Sequence, residues 1–379
     1  IKQQQVPVEL KSTERIVALI RGGSEDSKET TLYARGNGTE FNLLASEDEG
    51  QSWKNLSDDL PMPEATAVRS IAVHPTNPSI LLAATGYPVN GRLVSALWKT
   101  TDKGTSWRMV CNEIDFDGQG PSTFFGESIC FNPRDPNQVA AGGESSGLFI
   151  SEDGGESWEY AGMKGERIST VAYSHVASRL IIGTFSDTAF LNLGLGQPAI
   201  STDAPGRLYV ASSSGTNLTI KMEKQDFGIT DLSFESMYES GNCVYASSTH
   251  GIYYSFYLDK FMQRRAGLVS DELYATIDGW PIPTSKRNRT LGAPFYSKHS
   301  SQLFGASIGY YWSPIWKRFS SDQSDLNRGI SSIISHPTDA KKFWICNHDG
   351  ILMTTNGGDT YQRLNARAKS EDHRQTQGP

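Results

Sequence analysis

A chain of 379 residues with 37% hydrophobic and 10% aromatic content is long enough for one large core or two domains. A formal net charge of −7, with "SKRNRT" at Ser285–Thr290 as the single basic block, argues against a nucleic-acid partner, which needs a basic face. No apolar run reaches the roughly 18 residues that a membrane-spanning helix requires, and 36 glycines with little helix punctuation suit an all-β protein.

The first unit ends in "SEDEGQSW" at Ser46–Trp53. The second reads "RSIAVHPTNPSILLAATG" from Arg69, then "ALWKT", then "TTDKGTSW" at Thr100–Trp107. The third repeats the order with "ESICFNPRDPNQVAAGG" from Glu127, "GLFIS" and "SEDGGESW" at Ser151–Trp158. Near the other end, "SSIISHPTDAKKFWICNHDG" from Ser331 leads through "GILMT" to a worn copy, "TTNGGDTY", at Thr354–Tyr361. Each unit is an alternating apolar strand, a Pro/Asn/Asp turn, a second strand, a Gly-led third strand, an Asp-Gly turn and a fourth strand opened by an aromatic. The closing aromatics Trp53, Trp107 and Trp158 stand 54 and 51 residues apart, and Tyr361 follows 203 further on, close to four more steps. Four antiparallel strands per step describe a propeller blade.

The repetition decides what the acidic motif is for. Catalysis needs one constellation, whereas repeated units need repeated turn chemistry. Asp48, Asp102 and Asp153 are placed to accept bonds from amides ahead of them, and Gly50, Gly104 and Gly155 to take a conformation that a Cβ penalises. His74 and His336 occupy the same place before proline in the first turn of a unit and are structural.

The pattern Ser/Thr-x-Asp-x-Gly-x-Ser/Thr-Trp resembles the Asp-box, or BNR repeat, of sialidases, sortilin-type receptor domains, a photosystem assembly factor and two-propeller xyloglucanases. The phrase "HPTNPSILLAATG…LWKTTDKGTSW" is most similar to the xyloglucanase and sortilin style of blade. The resemblance implies a single all-β propeller over residues 1–365 with four-stranded antiparallel blades, followed by a polar tail at 366–379. The 203-residue gap favours seven blades. Phrase counting, with short units from Ile168 and Ala199 and further ones from Ile229 and Gln302, allows eight. The resemblance is specific for fold and says less about chemistry, because these families share blades but not reactions.

In relatives with Asp-boxes the working face lies opposite the boxes, so function is expected in the loops between second and third strands and between blades. The loop Asn112–Gly126, "NEIDFDGQGPSTFFG", offers Asp115 and Asp117, with Glu127 at the next strand start and Phe124 and Phe125 beside them. Two carboxylates next to rings suit a glycosidase, with an acid, a base or nucleophile, and faces for sugars. A solvated acidic loop capped by phenylalanines is the plainer account. The loop Tyr87–Ala96 brings Tyr87 and Arg92 to the same face. Strand starts carry Arg69, Glu127, Glu166, Arg167 and Arg328, which either hold a carboxylate ligand or pair with neighbouring acids. The segment Leu268–Thr290 breaks the repeat and adds Asp278 and Trp280.

The expected function is that of an exported, glycoside-hydrolase-like propeller binding or cleaving a polysaccharide, with Asp115, Asp117, Glu127 and Asp278 as catalytic candidates. The alternative is a non-catalytic scaffold for a protein partner. Export is expected because the chain starts at Ile1, because sequons stand at Asn37, Asn55, Asn217 and Asn288, and because Asp-box relatives are mostly exported. Cys111, Cys130, Cys243 and Cys346 show no metal spacing, and the first pair could meet across neighbouring blades. No cofactor or metal is implied, and a monomer is expected.

Overall fold

The computed structural model describes residues 9–10, 16–22, 30–36, 42–61, 67–118, 122, 125–174 and 179–185, then the strands given below and the turns within 332–368. Every regular element among them is a strand except one short 3-10 turn at Ser57–Asp59.

Five four-stranded antiparallel sheets follow one another. The first is Ile16–Gly22, Thr31–Gly36, Leu43–Ser46 and Lys54–Asn55, and the second is Ala67–Val73, Leu81–Val89, Arg92–Thr100 and Arg108–Cys111. The third is Ile129–Phe131, Val139–Gly142, Leu148–Ser151 and Glu159–Gly162. Arg167–Tyr173, Leu180–Phe185, Gly206–Ser214 and Asn217–Asp226 form the fourth, and Ile229–Tyr238, Gly241–Ser248, Gly251–Ser255 and Met262–Arg264 the fifth. Two more antiparallel groups, Tyr274–Asp278 through Pro314–Arg318 and Ser332–Ser335 through Gln362–Ala368, are joined by parallel pairing of Ile277 with Ile333 and Asp278 with Ile334. The phrases from Ile168 and Ala199 therefore belong to one sheet, not two, because Leu180–Gly183 pairs directly with Leu208–Ala211. The repeat also runs through Tyr274–Asp278, where the sequence seemed to break it.

All four boxes join third and fourth strands, and the first three are wired alike. Ser46 Oγ donates to Asp48 Oδ1 (2.7 Å), and Asp48 accepts from the Ser52 amide (2.8 Å) and hydroxyl (2.5 Å). Asp102 with Thr100 and Ser106, and Asp153 with Ser151 and Ser157, repeat this. In the worn copy, Asn356 accepts from the Thr360 amide (3.0 Å) but donates its own Nδ2 to the Thr360 hydroxyl (2.8 Å). The amide reverses one bond and keeps the turn. Burial resists ionisation of Asp102, but donors from Ser106 and Thr100 outweigh it and lower the carboxyl to about 2.

Three of the boxes also dock on a neighbouring sheet. A Cβ on Gly104 would come within 2.9 Å of Leu56, and one on Gly155 within 3.0 Å of Leu82. A Cβ on Gly50 would meet Leu364 at 2.4 Å, so the first box rests on the last sheet. There the Trp344 indole donates to the Glu49 carbonyl (3.1 Å), Lys342 pairs with the Glu49 carboxylate, and Leu19, Trp53, Trp344 and Leu364 share one core cluster. The residue ahead of each of these box glycines is left-handed too: Glu49 (φ 61°), Lys103 (φ 59°) and Gly154 (φ 73°).

Lys103→Gly should therefore raise stability by about 1 kcal/mol, because it relieves a left-handed side-chain residue at the expense of one exposed ion pair to Glu47. Gly86→Ala should cost about 3 kcal/mol, since its Cβ would lie 1.6 Å from the Phe116 carbonyl oxygen. Urea unfolding of both variants checks the pair.

Candidate functional site

The loop after the second sheet is clamped between its neighbours. On one side Gly118 donates to the Gly86 carbonyl (3.0 Å), and the Ser95 hydroxyl bridges the Phe116 amide (2.9 Å) and carbonyl (3.1 Å). On the other side Asp115 holds the turn Gly143–Gly147. It accepts from the amides of Ser145 (3.1 Å) and Ser146 (2.8 Å) and from both of their hydroxyls, and its carbonyl accepts from the Glu144 amide (2.8 Å). Burial pushes the Asp115 carboxyl up, yet these donors hold it below its ordinary value. Its lone pairs are committed to fixing the turn, which is a structural use.

Glu127 is similarly engaged. Its Oε1 receives Arg35 (3.0 Å), and its Oε2 receives the Ser70 hydroxyl (2.7 Å) and the Ile71 amide (2.6 Å). Arg35 is fully buried and also donates to the Val68 carbonyl (3.3 Å). Arg69, 1% exposed, spans three sheets by donating to the Gly126 (3.0 Å) and Ser169 (2.6 Å) carbonyls. Burial lowers its pKa to about 10, with Arg35 adding to that and Glu144, Glu127 and Asp117 opposing it.

The turn held by Asp115 presents Glu144, a residue the sequence reading passed over. Gly165 donates to the Ser145 carbonyl (2.8 Å) and Ile168 to the Gly143 carbonyl (3.0 Å), so the turn is tied to the fourth sheet as well. The Glu144 side chain, 10% exposed, pairs with Arg167. Burial raises its carboxyl to about 7. Arg167 and Arg69 pull the value down, and the nearby Asp117 charge pushes it up. Desolvation wins because the guanidiniums recover only part of the hydration that the carboxylate lost. Beside this cluster Glu166 pairs with Arg207 (2.6 Å) and meets the Tyr209 hydroxyl (3.3 Å). Three acids (Asp117, Glu127, Glu144) and three arginines (Arg35, Arg69, Arg167) thus gather where the inner strands begin. A carboxyl that titrates near neutrality beside a second acid can give up or take a proton there.

The remaining predicted residues are placed elsewhere. Phe125 is buried and stacked on Phe185 (4.7 Å between centroids), so its ring packs the interior and offers no sugar face. Tyr87 and Arg92 stand on a β-hairpin rather than a loop: Tyr87 pairs with Val94 and Val89 with Arg92 around a tight Asn90-Gly91 turn. The Gly86 and Ser95 face of that hairpin rests on the loop carrying Asp115 and Asp117, so Tyr87 and Arg92 point away from the carboxylates. Asp278 ends a strand paired with Ile334. Phe124, Trp280 and Arg328 lie outside the described residues. Among the described residues no group of three or more His, Cys, Asp or Glu side chains is placed to hold a metal ion, and no helix is long and apolar enough to cross a membrane. Cys111 and Cys130, which could have met across neighbouring sheets, are not joined in a disulfide.

The Glu144 carboxyl binds its proton more tightly in the folded chain than in the unfolded one, so its contribution to stability is fullest below its ordinary value of 4.5 and is lost as pH rises to about 7. Glu144→Gln should flatten that part of the profile, leaving the variant relatively more stable above neutrality. Urea midpoints from about pH 4 to about pH 8 test the sign.

Comparison with known proteins returns the same architecture. The family model described as sortilin, neurotensin receptor 3, matches residues 41–187. The xyloglucanase Xgh74A of Acetivibrio thermocellus is 29% identical over 113 residues, which are 28% of this chain and 13% of that protein. The GH74 enzyme of Niastella koreensis superposes with a TM-score of 0.69 at 16% identity, over 97% of this chain and 56% of that one. The GH74 xyloglucanase of Xanthomonas campestris gives 0.64 at 14%, over 96% and 56%. A structure of YCF48 bound to D1 peptide gives 0.56 at 12%, over 94% of this chain and 96% of that one. The chain thus spans little more than half the length of the GH74 structures and a small part of the curated xyloglucanase. In its boxes, its blades and its fold, the chain is similar to Asp-box (BNR-repeat) propellers of the xyloglucanase and sortilin type.

Proposed function

We propose that this chain is a seven-bladed, glycoside-hydrolase-like propeller, exported as a monomer, that engages a polysaccharide through the loops opposite its Asp-boxes. The blade count is supported by the seven four-stranded groups among the described strands and by the docking of the first box on the last sheet. One observation carries the functional reading: Glu144, raised to about 7, sits with Asp117 and Arg167 in connections that leave the strands at the ends away from the boxes. Protonated Glu144 is the group fitted to donate to a glycosidic oxygen, and Asp117 is the second carboxylate such a reaction needs, as base or nucleophile. This replaces Asp115 and Glu127 as catalytic candidates, because both spend their oxygens on the fold.

The second reading is a protein-binding scaffold. It draws on the end-to-end match with YCF48, which was solved with a peptide bound and is covered over 96% of its length.

Xyloglucan and other soluble polysaccharides should be incubated with the chain and with Glu144→Gln and Asp117→Asn. Reducing-sugar release in the parent, falling by about 100-fold or more in Glu144→Gln, supports hydrolysis. Binding without turnover reduces the reading to a glycan-binding propeller, and no binding to any polysaccharide overturns it in favour of the scaffold.

A further inference from the structure

The second sheet carries an arm that the glycan reading does not use. Its second and third strands, Leu81–Val89 and Arg92–Thr100, pair along their whole length, while the first strand covers only Leu81–Gly86 and the fourth only Leu97–Lys99. Residues Tyr87–Val89 and Arg92–Val94 therefore pair only with each other among the described strands and extend beyond the sheet as a two-stranded ribbon. Asn90 (φ 49°) and Gly91 (φ 76°) close it in a tight turn whose twist matches the strands. The Ser95–Phe116 bonds and the close approach of Gly86 to Phe116 brace its inner face, so the arm is held rigid at its base.

Its outer face is open. By strand alternation Tyr87, Val89, Arg92 and Val94 share that face. Val89 is 38% exposed and Val94 45% exposed, two of the few large apolar side chains so placed among the described residues. Arg92 is exposed beside them and forms no ion pair among the described residues. An unpaired strand edge next to exposed valines is a liability that proteins ordinarily cover with charge, proline or another segment.

We propose that this ribbon docks an extended acidic segment of a partner protein, which adds as a strand along the Arg92–Ala96 edge. Main-chain bonds to the edge supply affinity, an apolar side chain lies against Val94, and an acidic side chain on the same face meets Arg92. The unpaired guanidinium selects the charge of the partner, and the braced arm keeps the ordering cost low. The site is separate from Glu144 and Asp117, because the ribbon turns its other face toward the loop that carries Asp117.

The test uses the whole chain and a short fluorescein-labelled peptide of alternating valine and threonine with an aspartate in place of one valine, so that it shares the valine face, beside a twin carrying lysine at that position. Saturable anisotropy is expected for the aspartate peptide, weakened roughly five- to tenfold by Arg92→Glu, which should also reverse the preference toward the lysine twin. N-methylation of alternate peptide amides should abolish binding, as strand addition requires. Absence of saturable binding, binding unchanged by Arg92→Glu, or tolerance of N-methylation each overturns the proposal. A dimer in sedimentation that Val94→Lys dissolves overturns it as well, in favour of pairing between copies of this chain. Polysaccharide binding measured on Arg92→Glu should be unchanged, which separates failure here from failure of the glycan reading.

Discussion

Three Asp-box turns each seat a glycine against a leucine of the neighbouring sheet, and the spacing of those sheets depends on that contact. Gly104 meets Leu56, Gly155 meets Leu82, and Gly50 meets Leu364 of the last sheet. A side chain at these positions would collide, and the backbone there is left-handed in any case. The aspartate two residues earlier holds the turn in shape by taking amide and hydroxyl donors from the serine that follows. One short motif thus serves two ends: it closes a hairpin and fixes the distance between neighbouring sheets. The first box also receives the indole of Trp344 and the ammonium of Lys342, so the contact between the first and last sheets uses the same part as the contacts among the first three.

The polar cluster on the inner strands follows from that spacing. Sheets held this close leave little room for water where their first strands begin, and the arginines and acids there must satisfy one another. Arg35 and Arg69 do so with carbonyls and with Glu127 at nearly full burial, with Arg69 Nε left without a hydrogen-bond partner among the described residues. Their removal from water is costly unless every donor is matched, and such networks favour one arrangement over its competitors. Glu144 is incompletely compensated for its burial, which is why its carboxyl is raised to about 7. A group left short of compensation is in this way suited to proton chemistry.

The loops differ in how firmly the scaffold holds them. Asn112–Gly118 is wedged between a hairpin and a glycine turn, and its carboxylates have fixed surroundings. The hairpin beyond Gly86 is braced on one face only and presents the other to solvent. These are two surfaces of different character on one connection face, the first polar and enclosed, the second apolar and open.

Much of this was written in the sequence. The boxes, their period and the strand phrases around them identify four-stranded units, because turn chemistry and alternation are local properties. The structural role of His74 is also local, since its ring nitrogen accepts from the Asn77 amide three residues ahead. The partners of the charged residues were not legible. Asp115 and Asp117 are two positions apart and look alike on paper, yet Asp115 is consumed by a turn 30 residues away, while Asp117 lies beside Glu144. Glu144 itself, in a plain glycine-serine turn, carries no local mark of its burial. Phe125 reads as a loop aromatic until Phe185 is placed against it. Sequence alone determines what repeats, because each repeat answers to its own short-range bonds. Only the tertiary structure decides which charges are enclosed and which strand edges stay open, because both depend on contacts between sheets that are far apart along the chain.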